Sequence, residues 1–137
     1  MKKLAHASFD WSSVNNAELA MHVEEGLPVL ALAEFGRKVG FTIEELARLV
    51  HIPPRTYARR VASKARLNVP EGERAVRIMR LYDRARQVFG THERTNAWLN
   101  RKLRVLGNRT PLDFARTEPG AREVEAILER YEDGVFS

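Results

Sequence analysis

Apolar residues recur at helical spacing along most of this chain, and capping residues mark where each run begins and ends. The clearest case is the stretch 42–64. Thr42 is followed three positions on by Glu45, the reciprocal capping box that satisfies free N–H groups at a helix start. Ile43, Leu46, Ala47 and Val50 then fall at i, i+3, i+4 and i+7, which predicts a short helix with one apolar face. The pattern stops at His51-Ile52, and Pro53-Pro54 opens a second short helix over 54–63, since no N–H is needed in a first turn. The apolar side of that helix is thin, chiefly Tyr57 and Val61 with Ala58 beside them; its other positions are Arg55, Thr56, Arg59, Arg60 and, at its end, Lys64. Two short helices, a tight turn and a basic second helix predict a helix-turn-helix whose second helix enters the DNA major groove. An ordinary helical hairpin with solvated arginines has the same local pattern.

The flanks extend the helical reading. Residues 1–25 have no clean period and predict an arm with a short helix around 17–24, in which Trp11 serves as a packing anchor. Gly26-Leu27-Pro28 opens a further helix; Leu32, Phe35 and Val39 form its core stripe, and Gly40 ends it as a left-handed residue. From Pro70-Glu71 to Phe89, Ala75, Ile78, Met79, Tyr82, Ala85, Val88 and Phe89 trace one face of a long helix that ends at Gly90. Its arginines, including Arg74, Arg77, Arg80, Arg84 and Arg86, fit a solvated face or backbone-phosphate contacts equally well. Thr91 caps a short helix bearing Trp98 and Leu99, residues 102–108 form a loop with Gly107-Asn108 suited to positive φ, and Thr110-Pro111 starts another helix. A last helix runs from Thr117-Glu118-Pro119 to about Glu132, with Val124, Ile127, Leu128 and Tyr131 inward and Gly134 as its stop.

Charge decides between a bland hairpin and a DNA-binding one. The net charge is +5 over 137 residues, but residues 36–104 hold 17 Lys and Arg against 6 acids, while residues 1–35 and 105–137 are each net −3. A basic middle between acidic ends is the footprint of a nucleic-acid-binding module flanked by parts with other work. The absence of cysteine excludes disulfides, argues against zinc fingers and fits a reducing cytoplasm. No apolar run approaches a membrane span, and neither a cofactor nor a metal site is indicated. His6, His22, His51 and His92 are scattered, with no nucleophile–base pair or phosphate-cradling loop, so an enzyme is a remote reading. His51, in the helix turn, suits a turn residue or a phosphate donor.

The C-terminal residues resemble a known family. Trp98-Leu99, the run Leu106-Gly107-Asn108-Arg109-Thr110-Pro111-Leu112, Thr117-Glu118-Pro119-Gly120-Ala121, Glu123-Val124-Glu125 and the ending Glu132-Asp133-Gly134-Val135-Phe136-Ser137 are similar, in order, to the toxin-binding domain of the Xre/MbcA/ParS antitoxins. The likeness covers roughly 26–137. The chain departs from the pattern at Lys102-Leu103-Arg104, at Asn108 in place of a second glycine, and at Pro53 in place of a capping Ser.

The resemblance implies an all-α protein: a helix-turn-helix bundle joined by a long helix to a small helical toxin-binding domain, divided as an arm at 1–25, an Xre-like DNA-binding domain at 26–69 and a toxin-binding domain at 70–137. It further implies a cytoplasmic antitoxin that silences a RES-domain toxin, an NAD-consuming enzyme, and represses its own operon. Arg55, Thr56, Arg59, Arg60 and Lys64 are the expected DNA contacts, in a homodimer on a pseudo-palindromic operator. Glu132, Asp133, Gly134, Val135, Phe136 and Ser137 are the expected toxin contacts. In this expectation Gly134 frees an apolar tail whose carboxylates mimic the pyrophosphate of NAD. The competing reading is a plain helix-turn-helix repressor whose C-terminal half only dimerises.

Overall fold

Six of the eight α-helices among the described residues start at a residue whose side chain accepts a hydrogen bond from the first turn. The computed structural model describes residues 14–136, with side chains for residues 14–134. Residues 1–13, including Trp11, and Ser137 lie outside the described residues. Within them the regular structure is eight α-helices and one short 3-10 turn, without strands. The all-α class predicted from the periodicity is what folds. The chain divides into two compact units, and the division falls between Val76 and Arg77, inside the longest helix.

In the first unit, Asn15 caps α1 (Asn16–Glu25) by accepting from the Glu18 N–H at 2.9 Å. Helix α2 (Val29–Val39) buries Leu32 and Val39 as expected, while Phe35 is half-buried and meets Phe41 edge-on at 5.9 Å. Gly40 ends it at φ 80, ψ 23, the left-handed geometry its sequence position called for. Helix α3 (Ile43–Leu49) carries the complete capping box: Glu45 N–H to Thr42 Oγ1 and Thr42 N–H to a Glu45 carboxylate oxygen, both at 3.0 Å. Leu46, Ala47 and Val50 are buried; Ile43, expected on the same face, is 53% exposed. Gly36 lets α2 and α3 close on each other, since a Cβ there would lie 2.2 Å from Leu46 Cδ1. The turn to α4 (Pro54–Ala62) is made by His51 at φ 61, with Ile52 N–H bonded to Ala47 O at 2.9 Å. Histidine is among the non-glycine residues that take this conformation more readily.

Beyond α4 the chain is strapped back to the start of α2. Val29 N–H reaches Ala65 O at 3.0 Å, Leu67 N–H reaches Leu27 O at 2.7 Å, and Arg66 donates to Gly26 O at 2.7 Å. Helix α5 (Val69–Phe89) then begins, and Gly72 leaves room for Val23 and Leu27 beside it.

The second unit holds the rest of α5 with α6 (His92–Leu99), the 3-10 turn (Arg104–Leu106), α7 (Pro111–Phe114) and α8 (Glu118–Phe136). Thr91 and Thr110 cap α6 and α7 as their positions predict. The residues expected to be wholly loop, 102–108, contain the 3-10 turn, followed by Gly107 and Asn108 at φ 68 and 64. Trp98, Phe89 and Tyr131 form an aromatic trio with centroids 5.2 to 6.0 Å apart. At the base of α8, a Cβ on Gly120 would sit 1.7 Å from Phe114 O, so only glycine permits this contact of α8 with α7.

The end of the last helix is a further correction. Helix α8 does not stop near Glu132 but continues through Gly134 to Phe136. Gly134 does not take the positive φ seen at Gly26, Gly40, Gly90 and Gly107. Glycine inside a helix costs only about 1 kcal/mol against alanine, which a helix packed along most of its length absorbs.

Tyr57 is the large side chain that anchors α4, 1% exposed, and its hydroxyl is buried without a hydrogen-bond partner. Burial pushes the phenol from its ordinary value of 10 up to about 12. The folded state therefore holds this proton more tightly than the unfolded chain; the contribution is complete below pH 10 and is lost as pH rises through 12. Tyr57→Phe is expected to leave stability at pH 7 unchanged or higher by about 1 kcal/mol, because an unsatisfied buried group is removed. It should also abolish this component of alkaline destabilisation, both measured by chemical denaturation across pH.

Candidate functional site

The exposed side of α4 is small and basic. Arg55, Ala58, Arg59 and Ala62 all face solvent, Thr56 and Arg60 are half-buried on its flank, and Tyr57 points into the core. Lys64 follows the helix at φ 55, exposed. Arg55 and Arg59, four residues apart, thus share one face with two alanines, and neither has an intramolecular partner among the described residues. Such a face can enter a groove closely, the alanines giving room while the guanidiniums reach base edges or phosphates. Pro53 stands in the cap position at φ −56 with no side-chain hydrogen bond, so α4 begins without the acceptor that a Ser would supply.

Arg60 is engaged elsewhere. Its Nη1 donates to Glu71 Oε1 at 2.7 Å, and both side chains are largely covered, 28% and 10% exposed. The same carboxylate oxygen accepts from Asn68 N–H at 2.9 Å, while Asn68 Oδ1 accepts from Glu71 N–H at 2.9 Å. Asn68 and Glu71 are therefore the capping box of α5, and the acid of that box also holds α4. The five residues expected to meet DNA do not act as one set: Arg55 and Arg59 point outward, Thr56 flanks them, Lys64 stands beyond the helix, and Arg60 is tied inward. The signal for Glu71 was present as Asn-x-x-Glu, but its tie to Arg60 spans 11 residues and has no local signature.

In the second unit, Glu132 pairs with Arg84 at 2.5 Å, Arg77 pairs with Glu118 at 3.2 Å, and Arg77 also donates to Arg116 O at 3.2 Å. The arginines of α5 are thus partly structural. Asp133 and Gly134 are exposed; Val135 and Phe136 belong to the last turn of α8, and Ser137 lies outside the described residues. Glu125, Glu129 and Asp133, at spacings of four and four, form an exposed acidic stripe toward the far end of α8, while Glu118 is also paired with the exposed Arg122 at 3.4 Å. His92 contacts the Tyr82 hydroxyl through Nδ1 and the Asn96 amide through Nε2 at 3.0 Å, a packing role. Among the described residues no cluster of His, Asp or Glu could hold a metal ion, and no helix is long and apolar enough to cross a membrane.

Comparison with known proteins identifies two domains along the chain. Residues 18–80 match the model of the antitoxin Xre-like helix-turn-helix domain, and residues 84–134 match that of the antitoxin Xre/MbcA/ParS C-terminal toxin-binding domain. A protein of Photorhabdus laumondii named Antitoxin Xre is 32% identical over 116 residues, covering 84% of this chain and 78% of its own. The chain belongs to the Xre antitoxin family. An Antitoxin Xre of Yersinia enterocolitica is 36% identical over 94 residues, 68% of this chain and 64% of that protein. One of Pseudomonas putida is 29% identical over 83 residues, 61% of this chain and 52% of that protein. This is an antitoxin family and not a family of enzymes, and in this chain the helix-turn-helix domain precedes the toxin-binding domain.

The carboxylate of Glu71 generates the prediction for this region. Glu71→Gln keeps an acceptor for Asn68 N–H but removes the charge opposite Arg60. The expected loss is about 1–2 kcal/mol, read as a fall in melting temperature of about 4–8 °C per kcal/mol for a unit of this size. Glu71→Ala, which also removes the cap, should cost more.

Proposed function

We propose that this chain is the antitoxin of a type II toxin–antitoxin pair, a cytoplasmic protein that neutralises a RES-domain, NAD-consuming toxin and represses its own operon as a homodimer. The observation that carries this reading is the union, in one chain, of an outward Arg55–Arg59 face on α4 with a C-terminal unit matching a toxin-binding domain. DNA recognition is assigned to Arg55 and Arg59 as groove contacts, Thr56 at the flank and Lys64 at the phosphate backbone. Arg60 holds α4 in place. One helix-turn-helix reads a half-site, so two copies on a pseudo-palindrome complete the operator complex.

Toxin neutralisation is assigned to the C-terminal end of α8 and the residue beyond it. Glu132 is shared with Arg84, which leaves Asp133 as the acid offered to a cleft built for an anionic pyrophosphate. Gly134, Val135, Phe136 and Ser137 supply the remaining contact, with Phe136 as an apolar anchor. Because α8 continues to Phe136, this end is presented as a helical tip rather than an extended strap.

Two experiments test these assignments separately. Arg55→Ala with Arg59→Ala should lower operator affinity at least about 30-fold in a gel shift, since each arginine–base contact is worth about 1–3 kcal/mol. Fold and toxin binding should remain intact, and normal operator affinity in the double variant would overturn the groove assignment. Deleting 134–137 should leave a folded, DNA-binding protein that no longer blocks NAD loss by the purified toxin. Inhibition at unchanged concentration would move the inhibitory surface to the body of α8.

A further inference from the structure

The loop between α6 and α7 carries Arg101, Lys102, Arg104 and Arg109, and no acid occurs anywhere from residue 94 to residue 112. Arg109 is used at the base of the loop: its guanidinium lies 5.2 Å over the Phe114 ring and donates to Asp113 O at 3.2 Å. Arg101, Lys102 and Arg104 are exposed and have no partner among the described residues. Between them and the glycine stands Val105, at 67% the most exposed of the large hydrophobic side chains described. Its neighbour Leu106 is 2% exposed and nails the loop to the unit.

The backbone of this loop is closed on itself. Leu103 N–H bonds Arg109 O at 3.1 Å, Asn108 N–H bonds Leu103 O at 2.9 Å, and Gly107 N–H bonds Arg104 O at 3.0 Å. Gly107 and Asn108 in the left-handed region make the reversal possible. A closed loop loses little freedom on binding, which favours its use as a contact. Three neighbouring like charges without counter-ions repel one another, and nothing within the unit compensates them. Solubility would be served by the cations alone; a valine held at the crest among them is an apolar contact ringed by positive charge.

We propose that residues 101–105 form a second toxin-contact site, one that docks on an acidic surface of the toxin with Val105 at its centre. This rests on the antitoxin reading above and adds to it a site distinct from the tip of α8. A phosphate backbone would satisfy the cations but asks nothing of Val105, and the loop lies inside the segment matched by the toxin-binding model. In an isologous contact of two loops, like charges would meet. With the acidic stripe on α8, the unit offers two patches of opposite sign, which a toxin surface can match in only one orientation.

The test uses the full chain and the purified product of the adjacent reading frame. Arg101→Glu with Lys102→Glu and Arg104→Glu should slow association at least about tenfold at low salt, with the difference shrinking as salt rises. Operator affinity, melting temperature and oligomeric state should stay unchanged. Val105→Ser alone should speed dissociation while leaving association intact, which keeps the proposal testable if the triple variant folds poorly. If operator affinity falls instead, the loop is a phosphate clamp; if the oligomer changes instead, it is a self-contact; either result overturns the proposal. If the wild-type chain binds that product and both variants bind it equally well, the loop site alone fails. If the wild-type chain does not bind it at all, the antitoxin reading fails and this site with it.

Discussion

One carboxylate fastens the helix-turn-helix unit. Glu71 is the N3 residue of α5, and it accepts at once from the backbone of its own cap residue Asn68 and from the Arg60 guanidinium of α4. The outward set of Arg55 and Arg59 follows from this, because Arg60 held inward on one flank and Tyr57 buried fix the rotation of α4 about its axis. The strap of hydrogen bonds from residues 65–67 to residues 26–29 closes the same region from the other side. A charge-assisted contact between largely covered partners suits this task, since separating them would strand a charge away from water.

The local punctuation of the helices was legible in the residues. Thr42 with Glu45, Thr91, Thr110, Gly40 and the Gly107-Asn108 pair all act as their types and positions require, because caps and left-handed turns are decided within four residues. What could not be read is non-local. The pairing of Arg60 with Glu71 joins different helices, and that of Arg84 with Glu132 crosses 48 positions; in the sequence both arginines look like free surface charge. Ile43 obeys helical spacing yet is exposed, since periodicity identifies a face without saying how far the neighbouring helix covers it. Gly134 was misleading because glycine serves equally as a helix stop and as a tolerated interior residue.

The two units divide the electrostatic work differently. In the first, Glu45 and Glu71 close capping boxes and Glu34 and Glu71 hold arginines, while Arg55 and Arg59 on α4 have no such partner among the described residues. In the second, basic groups of α5 brace α8 through Glu118 and Glu132, while the outer stripe of α8 stays acidic and the loop before α7 stays basic. The sign of each exposed surface is thus set by which charges the interior has already used. Residues 18–80 match a helix-turn-helix domain and residues 84–134 a toxin-binding domain, so the two charge patterns belong to two different kinds of domain.

Gly120 makes α8 a lever with a fixed fulcrum. Its α-hydrogen occupies the only space available beside Phe114 O, so the base of the helix rests directly on the backbone of α7. From residue 120 to residue 136 the helix rises about 24 Å at 1.5 Å per residue. A small tilt forced by one methyl group at the base would be magnified along that length. The aim of the far end is therefore governed by an absence of atoms sixteen residues away.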